Sequence, residues 1–100
     1  MPIFVLMTKL APEAVHSARS RRAMGKEWIK KVHATCPEVN FLAHYSLLGP
    51  YDFMDIYEAP DILTAHRVSL ISRSEGALTA ESWQALPYEE HLKLLGEVAG

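Results

Sequence analysis

Asp55 is the residue whose chemistry is easiest to name, because it stands in Leu48-Gly49-Pro50-Tyr51-Asp52-Phe53-Met54-Asp55-Ile56-Tyr57-Glu58, a stretch otherwise dense in strand-forming side chains. In an extended chain successive side chains alternate between faces, so Tyr51, Phe53, Asp55 and Tyr57 form one row and Asp52, Met54, Ile56 and Glu58 the other. A carboxylate inside an aromatic row is desolvated, and desolvation raises its pKa towards the range in which it can accept or donate a proton. The same parity puts Glu81 with Trp83 on a later strand and Phe41 with Tyr45 and Leu47 on an earlier one. If these rows share one face, Asp55 and Glu81 lie roughly 10 Å apart, two strand spacings. That arrangement is an acid and base pair for a small aromatic or carbonyl substrate. The competing reading is an ion pair between Asp55 and a lysine or arginine of a second chain.

The other reactive side chains are less organised. His16, His33, His44, His66 and His91 show no HxH or HExxH spacing, so no metal site is expected and no cofactor is called for. His66 stands out because Ile62, Leu63 and Leu70 surround it at helical spacing; it is a second candidate proton acceptor, against the simpler reading of a satisfied core or interface histidine. Cys36 is the single cysteine and excludes an internal disulfide; beside Pro37 it reads as packing rather than as a nucleophile. The candidate ligand-binding residues are therefore Tyr45, Tyr51, Asp55, Tyr57, Glu81 and Trp83, with Asp55 and His66 as candidate catalytic groups.

The elements that must position these residues follow from spacing. Residues 2–9 are apolar on both alternating faces, as in a strand covered on both sides. From Pro12 and Glu13 to near Pro37, Gly25, Trp28, Ile29, Val32 and Cys36 recur at helical spacing. Val39–Leu48 alternates as a second strand, Gly49-Pro50 marks a turn, and Tyr51–Ala59 is a third strand. Pro60 and Asp61 start a second helix that runs to about Ser74, with Gly76 as its stop. Ala77–Leu86 is a fourth strand, and Pro87 opens a short amphipathic C-terminal helix with Glu89 and Glu90 in its first turn.

Strand, helix, strand, strand, helix, strand is the α+β, ferredoxin-like βαββαβ arrangement. It predicts a four-stranded antiparallel sheet in the order 4-1-3-2 with both helices on one face. One hundred residues with 49% hydrophobic and 22% charged side chains match one globular domain spanning 1–100. The helix-free face then needs a cover, and the simplest is the same face of a second copy, giving a dimeric α/β barrel.

The segment Leu48-Gly49-Pro50-Tyr51-Asp52-Phe53-Met54-Asp55-Ile56-Tyr57-Glu58-Ala59-Pro60-Asp61 resembles the GYD domain family, whose signature is a glycine, a tyrosine and an aspartate at a hairpin followed by a strand ending in Glu-Ala-Pro-Asp. Met1-Pro2-Ile3-Phe4 and the element order are similar too. The resemblance implies ferredoxin-like protomers that pair sheet to sheet, in a wider group that includes cofactor-free monooxygenases, haem-degrading enzymes, muconolactone-type isomerases and stress-response proteins. Chemistry is not implied, because fold alone does not carry it.

Charge adds a further constraint. Arg19, Arg21, Arg22, Lys26, Lys30 and Lys31 place six of the 10 basic residues on the first helix, while the chain as a whole is −2. With no aromatic stacking row beside them these charges read as a solvated helix face, and no nucleic-acid partner is expected. The absence of a long apolar run and of a basic leader points to a soluble, cytoplasmic chain without a membrane partner. The functional expectation is a homodimer binding a small, partly apolar molecule between sheet and helices. The alternatives are a cofactor-free monooxygenase or isomerase using Asp55 or His66, and a structural or regulatory assembly module without a ligand.

Overall fold

The computed structural model describes residues 1–12 and 17–100. The elements are β1 (Ile3–Leu10), α1 (Ala18–Thr35), β2 (Asn40–Ser46), β3 (Phe53–Glu58), α2 (Ile62–Ser74), β4 (Ala77–Ala85) and α3 (Tyr88–Ala99). The sheet runs β2-β3-β1-β4 with every pairing antiparallel, which is the order and class that the sequence predicts. The described part of α1 begins later than predicted: Ser17 is its N-cap, with Oγ accepting from the Ser20 amide. Glu13 and His16 of the predicted helix start lie outside the described residues. Asp61 caps α2 in the same way, accepting from the Thr64 amide at 2.8 Å, and Gly76 follows its last turn with φ 109, a backbone setting that favours glycine.

The core lies on the helix-bearing face. Phe4 and Leu6 of β1, Tyr57 of β3, Val32 and Cys36 of α1, and Ala65 and Val68 of α2 are all buried there, with Val39 and Ala59 closing its ends. Each polar group drawn into this layer has a partner: the Tyr57 hydroxyl meets Ser82 Oγ at 2.7 Å, and Ser82 Oγ meets Ser69 Oγ at 2.7 Å. Among the described residues no buried side-chain nitrogen or oxygen is left unbonded. Burial pushes the Tyr57 hydroxyl up to about 12, the Ser82 contact offsetting part of the effect. Burial likewise raises the Cys36 thiol, consistent with a packing role at the end of α1.

The helix-free side of the sheet, largely half-buried, and the exposed α3 both lie outside this core. On the helix-free side of the sheet, Val5 and Met7 pair across with Ile56 and Met54 on one flank and Trp83 and Glu81 on the other. Every residue of α3 is exposed, including Tyr88, Leu92, Leu94, Leu95 and Val98. No helix of the described residues is long and apolar enough to cross a membrane.

The Gly49–Asp52 turn is held by its aspartate. Asp52 Oδ2 accepts from the Leu10 amide at 2.7 Å, its own amide donates to Thr8 O at 2.8 Å, and its carbonyl accepts from Leu47. The carboxylate thus ties the β2–β3 turn to the end of β1 by capping a backbone amide. Asp52→Ala should lower stability by about 1–2 kcal/mol, and Asp52→Asn, whose amide oxygen still accepts, by less. Urea melts of the three proteins check this; an unchanged midpoint for the alanine variant would remove the latch.

Candidate functional site

The structure divides the predicted site residues between two faces of the sheet. Asp55 and Tyr57 point towards the helices and are 3% and 0% exposed. Glu81 and Trp83 pair with Met7 and Val5 and point to the open face. Asp55 and Glu81 therefore do not face each other, and the single-face arrangement of the two carboxylates is corrected. The reason is that β1 and β3 are apolar on both sides, so alternation fixes two rows without saying which row of one strand matches which row of the next.

The predicted row on β2 is broken as well. Phe41 pairs with Tyr57, but Ala43 pairs with Ile56, so Leu42 is an extra residue in the ladder. This bulge puts Phe41 and His44 on the helix side and Tyr45, 55% exposed, on the open side opposite Met54. Tyr51 precedes β3 and also turns to the open side, where its hydroxyl donates to Glu81 Oε2 at 2.9 Å and its ring meets Trp83 edge-on at 6.0 Å. Trp83 Nε1 donates to Glu81 Oε1 at 3.0 Å, so Tyr51, Glu81 and Trp83 form one hydrogen-bonded surface cluster. The Glu81 contact raises the Tyr51 hydroxyl above its ordinary value.

On the helix side, a cleft of about 510 Å³ opens between α1, the end of α2 and the sheet. Trp28, Phe41 and Phe53 give it aromatic walls, Asp55 lies on its floor, and the more exposed His44 reaches it from the neighbouring strand. His44 Nδ1 and Asp55 Oδ1 are 2.5 Å apart. Phe53 stacks on the His44 ring at 5.4 Å, and the Arg21 guanidinium lies 4.9 Å over the same phenyl ring. Burial pushes the Asp55 carboxyl above its ordinary value of 3.8; His44 and Arg21 beside it offset only part of that effect. Asp55 is thus a desolvated acid with His44 of its own chain as its hydrogen-bond partner.

His66 does not belong to this cleft. It is exposed on α2, beside a groove along β4 that also includes Ser69, Arg73 and Glu81. Ile62, Leu63 and Leu70 around it are exposed too, so it is not a core histidine. Among the described residues no three metal-ligating side chains cluster. Sequence reasoning missed His44 and Arg21. The signal for His44 was its position across from Asp55 on the neighbouring strand, which becomes visible only once the extra residue at Leu42 is counted.

Comparison with known proteins places this geometry in context. The GYD domain family model matches residues 4–95. A protein of Thermus thermophilus named glutamine synthetase and cystathionine beta-lyase binding protein is 30% identical over 90 residues, covering 87% of this chain and 90% of the relative.

The raised Asp55 carboxyl sets the sign of a pH effect. The folded chain holds this proton to higher pH than the unfolded chain, so the group's contribution favours folding at low pH and is lost as pH rises through the folded value. Asp55→Asn should flatten that slope and leave stability at neutral pH equal or improved. Urea melts between about pH 4 and 7 test this. A variant destabilised at neutral pH would show that the His44 contact outweighs the cost of burial.

Proposed function

Because the chain belongs to the GYD domain family, we propose that it is a homodimeric binding module that takes a small, partly apolar molecule into the cleft between α1 and the sheet. The observation that carries this reading is the cleft itself: about 510 Å³, walled by Trp28, Phe41 and Phe53, with a buried carboxylate on its floor. Cavities of that size and lining are typical of small-molecule sites. An assembly module without a ligand would have no need of such a space. The name of the Thermus relative, a binding protein for two enzymes, supports a binding role that includes contacts with other proteins.

Dimerisation is supported by what the protomer leaves uncovered. The open sheet face carries Ile56, Met54, Val5 and the Tyr51–Glu81–Trp83 cluster, while the apolar side chains of α3 are exposed. A 12-residue helix is marginal in water unless its apolar stripe is packed. A second copy supplies a matching face and covers both surfaces in one closed, two-fold contact.

A second reading is favoured by one specific feature. The His44–Asp55 contact is a carboxylate-oriented imidazole on the floor of an apolar cleft, the arrangement a cofactor-free oxygenase or isomerase would use to accept a proton. Turnover of quinols or lactones that is lost in His44→Gln is its test.

Gly25 lines the cleft, and a side chain built there meets nothing within 4 Å. Gly25→Leu should therefore push a branched side chain into the space and obstruct it while raising helix stability by about 0.5–1 kcal/mol. A small-molecule thermal-shift screen should give hits on the natural chain that vanish in this variant; hits that survive it would overturn the cleft as the binding site. In sedimentation equilibrium the protein should run at twice 11.2 kDa into the low micromolar range, and Ile56→Glu should dissociate it without melting the core. An 11.2 kDa species throughout would remove the dimer.

A further inference from the structure

Resting on the reading of the cleft as a binding site, we infer that its ligand is a small ring compound carrying an anionic group. The ring part follows from the walls. Trp28 and Phe41 pack at 5.1 Å, Phe53 stands opposite, and all three line a space of about 510 Å³ that suits one or two fused or linked rings.

The anionic part follows from the charges. Arg22, Lys26 and Lys30 stand at i, i+4 and i+8 on α1 and form a rim along one side of the cleft, with Arg21 further in against Phe53. Two carboxylates also line the space, each with a partner of its own: Asp55 with His44, Arg21 acting on it from further away, and Glu75 with Lys31 at 2.5 Å. Among the described residues none of the four rim and inner cations has a carboxylate within 4 Å. The chain as a whole is −2, so this positive field is local to the cleft and not a property of the whole surface. Like charges one helical turn apart repel one another, and an anion drawn in between them relieves that repulsion. The aromatic walls take the ring; Arg22, Lys26 and Arg21 take the charge, the guanidinium groups as bidentate partners for a planar carboxylate or for a phosphate or sulfonate.

Two probes with the same rings separate the two halves of this inference. Anilinonaphthalene sulfonate carries an anionic group and N-phenylnaphthylamine does not. Calorimetric titration should give one sulfonate probe bound per chain, at least about tenfold tighter than the neutral probe at low salt. That advantage should shrink at about 0.5 M salt and in the Arg22→Gln/Lys26→Gln double variant. Gly25→Leu, checked by its melting curve to be folded, should bind neither. Equal affinity for the two probes in the natural chain overturns the anionic assignment while leaving the cleft a binding site. Sulfonate binding that persists in Gly25→Leu, or binding of neither probe to the natural chain, overturns both.

Discussion

The geometry of the helix layer depends on one hydrogen bond. Trp28 Nε1 donates to Ser72 Oγ at 2.8 Å, and Ser72 Oγ in turn donates to Val68 O at 2.9 Å. The bond pins α1 to α2, which itself lies against β4 and β1 through Ser82, Ser69 and Ala65. The indole ring meanwhile rests on Phe41 of β2. Trp28 thereby bridges α1 to both α2 and β2, while Val32 and Cys36, a turn or two later, are fully drawn into the core. The cleft opens beside it, with Trp28 as one wall. Replacing the tryptophan with a smaller residue would remove the α1–α2 hydrogen bond and one aromatic wall of the cleft together, while Ser72 kept its bond to Val68 O.

The buried carboxylate borders the same cleft. Asp55 occupies the row that Phe53 and Tyr57 define, where a buried charge needs a partner. The β2–β3 register sets His44 across from it, and Arg21 lies over Phe53 beside it, so Asp55 stays nearly inaccessible yet paired. A structure that keeps such a group in such surroundings holds a destabilising element in a cavity, which is the pattern of a binding or catalytic site rather than of a core.

Much of this was legible in the residues. The element order, the sheet order and the family resemblance all follow from strand alternation, helical spacing and the Gly49-Pro50-Tyr51-Asp52 turn, because these are local signals. Asp55 in an aromatic row was legible for the same reason. What was not legible is relative placement. Strands apolar on both sides give no indication of which row faces the helices, so Asp55 and Glu81 were drawn together though the sheet lies between them. The bulge at Leu42 is a one-residue event with no proline or glycine to announce it, and it moves Tyr45 away from Asp55 and His44 towards it. The role of Trp28 rests on a contact with Ser72, 44 residues away, which no local pattern contains.

The two tryptophans report on separate surfaces: Trp28 lines the cleft on the helix side, and Trp83 belongs to the open face on which the dimer is proposed to form. Their two indole N–H resonances can be followed during a titration with anilinonaphthalene sulfonate. The Trp28 resonance should move, because the indole lines the cleft that takes the ring, while the Trp83 resonance stays in place. A titration in which Trp83 moves and Trp28 does not would put the ligand on the other side of the sheet and remove the cleft as the binding site.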